Sequence, residues 1–263
     1  MQRCPVLRVV YDPGERHERH AHSYSNVSVV IAGSLMERVG RTEVEVGPLS
    51  VVVKPAGTEH ANAFGPQGAV MLQLPVTPQW SRADGTQAVD RWRWHRSPEA
   101  ARWMLRLATA AAETDRWYSV DDGIAECLGA VGGLGDRNSN DSIPDWLDRV
   151  RERIRDERGR GASVSQLARD AGVHPVYLTR RFRRAFGCSV VASLQVERVR
   201  AAADALASGS ETISGVAYGT GFADQPHLTR TFRRVTGVTP GAYRRLARGQ
   251  EVGNVQEPSP ERR

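Results

Sequence analysis

The chain has 263 residues, of which 40% are hydrophobic and 25% are charged, as is typical of a globular protein with a substantial core. The N-terminus lacks the apolar core of a signal peptide, and no window approaches the roughly 18 uninterrupted apolar residues of a membrane span, so we expect a cytoplasmic protein. The three cysteines, Cys4, Cys127 and Cys188, are scattered without a CxxC spacing, which argues against structural disulfides.

The net charge of +6 is unevenly distributed along the chain. Residues 1–142 contain 15 basic and 17 acidic residues, whereas residues 143–248 contain 19 basic and 10 acidic residues. An arginine-rich bias is an alternative explanation, because Lys54 is the sole lysine, but such a bias would not spare the first half. The second half is therefore predicted to bind a polyanion.

The first half of the chain is predicted to be rich in strands. Short β-branched runs lie close together and are bounded by Gly, Pro or Asn, which favours an antiparallel sandwich or barrel. These runs are VLRVVY, VSVVIAG, TEVEVG, LSVVVKPAG and AVMLQLP. A helix is predicted to start near Ser97, and VDDGIAECLGAVGG predicts a second, shorter helix. We expect both helices to pack on the barrel or on a partner subunit.

Composition also predicts the domain boundaries. Residues 132–142 contain GGLGDRNSND, which is polar and rich in turn formers, so this segment is predicted to link a domain at 1–131 to a domain at 143–248. Residues 249–263 are polar and contain proline, which predicts a disordered tail.

A nearly identical decapeptide occurs twice, as LTRRFRRAFG at 178–187 and as LTRTFRRVTG at 228–237. Before each copy an alanine, Ala168 or Ala217, lies four residues ahead of a glycine, Gly172 or Gly221. A small residue permits two helices to cross closely, and glycine can adopt the left-handed conformation of a tight turn. The pattern predicts two helix-turn-helix units in an all-α domain.

A helical wheel separates the residues of each copy into two faces. Leu178, Ala185 and the two phenylalanines of the first copy share one face, and Leu228, Phe232 and Val235 share the matching face of the second copy. The opposite faces are rich in arginine, which suits insertion into a major groove rather than a merely solvated face. The predicted base contacts are Thr179, Arg180, Gln225, Thr229 and Arg230, with Val176 and His227 as weaker candidates. The predicted phosphate contacts are Arg183, Arg184, Arg233 and Arg234.

Between the copies, SVVASLQVERVRAAADALA predicts an uninterrupted helix of about 25 Å, which suits two recognition helices placed near the roughly 34 Å repeat of the major groove. IPDWLDRVRERIRDE predicts an amphipathic helix at the start of the domain, and TPGAYRRLA predicts a closing helix.

Residues 143–248 resemble the DNA-binding domain of the AraC/XylS family of transcriptional regulators. The resemblance rests on ISGVAYGTGFADQPHLTRTFRRVTGVTPGAYRR, which contains the I-x-x-V-A start, the G-F turn, the L-x-R-x-F-R recognition helix and the closing G-x-T-P-x-x-Y-R. It implies that Val176, Thr179 and Arg180, together with Gln225, His227, Thr229 and Arg230, occupy base-facing positions. Pro226 stands where many relatives carry a small polar residue.

The first half resembles the cupin jelly-roll barrel, a common sensing domain in such regulators. GERHERHAHSYSNVSVVIAG and PAGTEHAN match its two motifs, although the leading glycine of the second motif is displaced and Asn26 replaces the usual glutamate. The resemblance implies a three-histidine site at His20, His22 and His60 for Zn, Fe or Mn, with His17 in reserve. Alternatively, these histidines form hydrogen bonds in a barrel mouth that binds an organic effector or nothing. Four tryptophans, Trp80, Trp92, Trp94 and Trp103, line an effector pocket or belong to the core.

Three functional interpretations follow. The leading one is a sequence-specific transcription regulator without enzyme activity, which binds promoter DNA and senses a small-molecule effector or metal. RNA polymerase is a further partner if the protein is an activator, and a homodimer is left open. The alternatives are a cupin metalloenzyme fused to a basic DNA-binding domain and a ligand-free dimerisation barrel. The absent glutamate ligand, and the absence of an evident carboxylate base, argue against the enzyme.

Overall fold

A computed structural model describes residues 6–76, 89–95, 98–110, 120–132 and 143–250. The strands within these ranges are β1 (Leu7–Tyr11), β2 (Arg16–His20), β3 (Ser25–Val39), β4 (Thr42–Val46), β5 (Val51–Lys54), β6 (His60–Val76) and β7 (Arg93–His95). The helices are α1 (Pro98–Ala110), α2 (Val120–Gly132), α3 (Asp145–Asp156), α4 (Val164–Asp170), α5 (Pro175–Phe186), α6 (Val190–Ser208), α7 (Ile213–Gly219), α8 (Gln225–Thr236) and α9 (Pro240–Ala247).

The strands form one antiparallel sheet in the order β1-β6-β3-β5-β7, while β2 also pairs with β6 and β4 with β3. The predicted strand-rich first half and helical second half are therefore confirmed. The long strands β3 and β6 form most of the strand pairing. β3 extends beyond the VSVVIAG run that predicted it, and β6 extends beyond the AVMLQLP run. Closure into a jelly-roll barrel stays a prediction. The sequence analysis missed β7 and did not delimit β2, since RHERH and RWH contain no β-branched residue.

The predicted helices are found close to their predicted limits. α1 begins at Pro98, next to Ser97, which lies outside the described residues, and α2 ends at Gly132. The other ten residues of the predicted linker, 133–142, also lie outside the described residues, as do residues 251–263 of the predicted tail. Gly249 and Gln250 continue from α9, where their amides donate to the carbonyls of Leu246 and Arg245. No helix in the described ranges is long and apolar enough to cross a membrane.

Buried side chains form three clusters, which we name by their position. The central core joins one face of the sheet to α1, α2 and the helices α6–α9, the first-unit core lies among α3–α6, and the sheet core lies on the opposite face of the sheet. Residues from both predicted domains thus contribute to the central core: Val27, Val29 and Ile31 from β3 pack in the same cluster as Phe232 and Tyr243.

Hydrogen bonds reinforce the contact between the sheet and the C-terminal helices. The Tyr243 hydroxyl donates to the Ile31 carbonyl at 2.6 Å, and Arg200 Nη1 donates to the Pro48 carbonyl at 2.9 Å. Arg8 of β1 donates to two carbonyls at the end of α9, Leu246 at 3.0 Å and Ala247 at 2.7 Å. A cation placed at the last carbonyls of a helix also interacts favourably with the helix dipole. The second helix-turn-helix unit is therefore docked on the sheet.

Both predicted helix-turn-helix turns are confirmed. Gly172 and Gly221 have φ angles of 67° and 82°, in the left-handed region that favours glycine. The amide after each glycine donates to the carbonyl of the preceding buried alanine, from Val173 to Ala168 and from Phe222 to Ala217, at 2.9 Å in both cases. These bonds close α4 and α7 with the pattern of a Schellman motif. The backbone then turns into α5 and α8.

We predict that Gly172→Ala destabilises the protein by about 1 kcal/mol, because alanine is strained at a φ of 67°. A Cβ at this position meets no other atom within 4 Å, so the loss measures backbone strain without a clash. Urea denaturation of the full chain gives the change in the free energy of unfolding. The control is Gly172→Asn, which tolerates this conformation better and should lose less. Equal stability of the alanine variant and the native chain would contradict the prediction.

Candidate nucleic-acid interface and histidine cluster

The two recognition helices, α5 and α8, start and end in the same way. The Asp224 carboxylate accepts from the His227 amide at 2.6 Å before α8, and His174 Nδ1 accepts from the Val176 amide at 3.3 Å before α5. Each helix has a proline in its first turn and ends at a left-handed glycine, Gly187 or Gly237. Local capping therefore gives the two helices that contain the decapeptides the same length of 12 residues.

The predicted separation of the two faces is confirmed. Leu178 and Phe182 in α5, and Leu228 and Phe232 in α8, are fully buried. Ala185, Phe186 and Val235, also predicted to face inward, are half-buried. The arginines at the four predicted phosphate-contacting positions are exposed: Arg183, Arg184, Arg233 and Arg234. Arg234 additionally donates to Gln195 Oε1 of α6 at 2.7 Å. Each recognition helix thus presents an arginine face to solvent and packs an apolar face in the core.

The predicted base-contacting residues lie on these solvent-facing surfaces with different exposures. Exposed residues are Val176, Thr179, Arg180, Gln225 and Arg230, and half-buried residues are His227 and Thr229. The His227 ring lies edge-on to Phe222, with the ring centroids 5.3 Å apart, so its orientation is set by the core. Val176 is 61% exposed, whereas a valine whose role is to fill a core is usually buried. Contacts of these residues with DNA stay predictions.

Tyr177 is an aromatic residue that occupies the position in α5 that His227 occupies in α8, so the two copies differ there. It is half exposed and stacks on Trp146 of α3, with ring centroids 6.0 Å apart and an interplanar angle of 24°. The stacking links the first turn of α5 to α3. No short-range signal predicts it, because the two aromatic residues are separated by α4.

The three predicted metal-ligating histidines lie together, with potential ligand atoms of His20, His22 and His60 all within 4.8 Å of one another. The ring centroids of His20 and His60 are 4.3 Å apart, and that of His22 is 5.1 Å from each. β2 ends at His20 and His22 follows it, so the two histidines do not share a strand face. A register shift after His17 places His20 opposite His60 on β6.

His17, the reserve candidate, lies next to this cluster on the side of His20. Its Nε2 is 2.7 Å from Glu15 Oε1, and its ring packs edge-on against Phe64 at 5.4 Å and His20 at 5.8 Å. Its Nε2 is engaged by Glu15, and among the described residues the potential ligand atoms that lie within 4.8 Å of one another belong to the other three histidines.

The ring nitrogens of the cluster suit metal ligation. His20 Nδ1 lies 2.8 Å from the Glu18 carbonyl and His60 Nδ1 lies 3.1 Å from the Thr58 carbonyl. Because a carbonyl accepts a hydrogen bond, Nδ1 donates in both rings and Nε2 keeps its lone pair. His60 Nε2 is buried and has no hydrogen-bond partner among the described residues. Burial, and then the nearby Lys54 ammonium, lower the pKa of His60 to about 3 and that of His22 to about 4, so both rings are neutral at pH 7.

A buried ion pair lies beside the cluster. Lys54 Nζ is 2.7 Å from Glu37 Oε1, and the two side chains are 5% and 0% exposed. Trp94 Nε1 donates to Glu37 Oε2 at 2.6 Å, and Asn62 Nδ2 can donate to Glu37 Oε1 at 3.2 Å when its amide faces that way. Trp92 lies 5.4 Å from the Lys54 ammonium and packs on His60 at 4.7 Å. Glu37 is thus a carboxylate beside the histidine cluster, and it was not identified from the sequence.

Other predicted residues of this region have structural roles. Asn26 is buried, and its Oδ1 accepts from the Ser28 hydroxyl at 2.9 Å. Trp92 and Trp94 pack on the sheet core and Trp103 on the central core, while Trp80 lies outside the described residues. An open cleft of about 300 Å³ borders His17 and His60, and its lining includes the charged residues Arg16, Arg19, Arg38, Glu43 and Glu59.

A family model described as a helix-turn-helix domain matches residues 167–246. Those limits include α4–α9, in which the two turns and both arginine-rich recognition helices lie. Within these limits the C-terminal helices therefore match a helix-turn-helix domain. This agrees with the family resemblance found in the recognition helices and their turns.

Several curated relatives match part of the chain. The bifunctional transcriptional activator/DNA repair enzyme AdaA of Bacillus subtilis is 28% identical over 118 residues, which cover 44% of this chain and 56% of AdaA. A putative AraC-like transcription regulator of Streptomyces lividans is 33% identical over 86 residues, covering 33% of this chain and 28% of the relative. The matched segments therefore span about half of AdaA and about a quarter of the Streptomyces protein.

One relative matches along most of the chain. The uncharacterised HTH-type transcriptional regulator YobQ of Bacillus subtilis is 24% identical over 234 residues, covering 87% of this chain and 89% of YobQ. Among solved structures, the DNA-binding domain of AdpA in complex with a target DNA is 29% identical, with a TM-score of 0.38 over 41% of this chain and 96% of that domain.

We predict that Lys54→Met destabilises the protein by about 3–5 kcal/mol, because it leaves the Glu37 carboxylate buried without a counter-ion. Thermal and urea unfolding measure the change. The matched control is the double variant Glu37→Gln with Lys54→Met, in which the carboxylate charge is removed and an oxygen remains for Trp94. It should recover most of the loss, and a double variant as unstable as Lys54→Met would contradict the prediction.

Proposed function

We propose that this protein is a sequence-specific DNA-binding transcription regulator whose sheet-rich half senses a divalent metal or a small-molecule effector. The observation that carries the proposal is the pair of exposed arginine faces on α5 and α8, each backed by fully buried leucine and phenylalanine side chains. Tandem recognition helices of equal length suit two major-groove half-sites on double-stranded promoter DNA.

The six arginines of the two faces form two groups, one that contacts bases and one that contacts phosphates. Arg180 and Arg230 lie nearer the helix N-termini, where side chains reach base edges and a guanidinium can bind guanine in a bidentate manner. The four arginines of the last turns lie where the helices leave the groove and bind phosphates. The net charge of +9 across residues 143–248 supplies the long-range attraction to DNA.

The regulator's sensing role rests on the histidine cluster. Three imidazoles, two of them with Nδ1 directed at a carbonyl, fit a divalent ion such as Zn, Fe or Mn. When bound, the ion would supply a Lewis acid that holds a donor atom of the effector. The charged cleft beside His17 and His60 suits a polar rather than an apolar effector.

We predict that Arg180→Ala relaxes base preference within one half-site by about 1–3 kcal/mol. The full chain is first used to select a preferred site from random duplexes, and fluorescence anisotropy then compares affinities for that site and for single-base variants. Arg183→Ala should instead weaken binding to all duplexes alike and lower the dependence on salt, because it removes a phosphate contact.

The control for these variants is Arg41→Ala, at an exposed arginine in the β3–β4 turn, which should change neither quantity. Failure of the full chain to enrich any sequence would contradict the proposed function. Equal losses by Arg180→Ala on the preferred site and on random DNA would contradict the assignment of Arg180 to base contact.

We predict that His22→Ala weakens divalent metal binding by the full chain at least tenfold, because it removes one of three ligands. Protein treated with a chelator is titrated with Co²⁺, whose visible absorption reports coordination, and with Zn²⁺ by calorimetry. His174→Ala, at a histidine of the AraC-type domain, is the control and should bind metal normally. Unchanged metal affinity in His22→Ala would exclude the three-histidine ligand set.

A further inference from the structure

Tyr243 connects the second recognition helix to the sheet. Its side chain is fully buried in α9, and its ring lies edge-on to Phe232 of α8, with centroids 5.3 Å apart at an angle of 78°. Its hydroxyl donates to the Ile31 carbonyl of β3 at 2.6 Å. Burial raises the pKa of Tyr243, so the hydroxyl keeps its proton and remains a donor. One side chain therefore contacts both the helix that faces DNA and the strand at the centre of the sheet.

Ile31 occupies an irregular position in β3. Val30 pairs with Met71 and Ala32 pairs with Val70, so Ile31 is the extra residue of a β-bulge between two consecutive residues of β6. A bulge disrupts the strand ladder locally and redirects backbone groups. Here the bulged residue directs its carbonyl at Tyr243 while its own side chain is fully buried in the central core. The bulge thus supplies the acceptor for the docked helix.

β3 also borders the histidine cluster. Asn26 on β3 pairs in register with Lys54, and Glu37 near the end of β3 binds the Lys54 ammonium. Trp92 lies 5.4 Å from that ammonium and packs on His60, with ring centroids 4.7 Å apart. The strand residues that face the candidate sensing site therefore lie on both sides of the bulge in the same strand.

The first helix-turn-helix unit is held differently. Its helices α3, α4 and α5 pack with the start of α6 in the first-unit core, which is separate from the central core. The hydrogen bonds described above join the sheet to α6 and α9. The two recognition helices thus share the L-T-R-x-F-R-R sequence but have different supports.

We propose that Tyr243 is a positioning residue, whose ring holds α8 while its hydroxyl fixes that helix to the β3 bulge, so that the sheet sets the orientation of the second recognition helix directly through this side chain. A shift of β3 caused by a ligand at the histidine cluster is then transmitted to α8. The consequence for DNA rests on the proposed function, whereas the mechanical link between β3 and α8 does not.

The link is tested by native-state hydrogen exchange on the full chain with Tyr243→Phe, which keeps the ring and removes the hydroxyl. We expect the amides of residues 31–33 and of α8 to exchange at least about fivefold faster, because a buried carbonyl loses its partner. Tyr218→Phe, at a tyrosine of α7 that is 66% exposed, is the matched control and should change neither region. A purely local role in the helices would accelerate α8 and α9 but leave β3 unchanged, and that result would overturn the link.

A measurement on the unmodified chain decides the same point if Tyr243→Phe does not fold. Exchange in increasing sub-denaturing urea should show the amides of residues 31–33 and of α8 opening as one unit with a common urea dependence, while α5 opens separately. Different urea dependences for β3 and α8 would overturn the link.

The effect on DNA is tested with operators mutated in either half-site. Tyr243→Phe should lower discrimination at the half-site read by α8 by about fivefold and leave the other half-site unaffected. Equal losses at both half-sites would overturn the selective positioning of α8. Lack of any sequence preference in the unmodified chain would instead overturn the proposed function, and the exchange experiment would still decide the link between β3 and α8.

Discussion

The burial of β3 on both of its faces is the constraint on which the rest of the structure depends. Side chains alternate across a strand, so Val27, Val29 and Ile31 lie on one face, while Val30 and Leu35 pack in the sheet core. A strand that is apolar on both faces requires a covering layer on each. On the first face this layer consists of α1, α2 and the C-terminal helices, so the helical half of the chain also completes the core of the sheet-rich half.

Local signals were sufficient to predict the helix-turn-helix units. The alanine-to-glycine spacing, the recurrence of Leu, Phe and Arg at helical intervals and the caps at each end all act within about a dozen residues. The separation of buried and exposed faces around Phe182 and Phe232 follows directly from this pattern. The β-branched runs likewise predicted the cores of β1 and β3–β6, although not how far β3 and β6 extend beyond them.

Features that depend on distant pairing could not be predicted in this way. The shared central core joins residues such as Ile31 and Tyr243, which are more than 200 positions apart, and composition favoured a simple linker between two domains. The Glu37–Lys54 pair depends on the register of β3 with β5 and β6. The histidine cluster was predicted as a set of residues, but its geometry depends on the register shift in β2 that follows His17.

α6 takes part in both the first-unit core and the central core. Val190 and Leu194 near its start belong to the first-unit core, and Val199 to Leu206 belong to the central core. A continuous helix of 19 residues, about 28 Å long, resists bending more than a loop of the same length would. The first unit is therefore carried at one end of a rigid helix whose other end is fixed to the sheet. Because the decapeptides share L-T-R-x-F-R-R, the two helix-turn-helix units differ less in their arginines than in how each is supported.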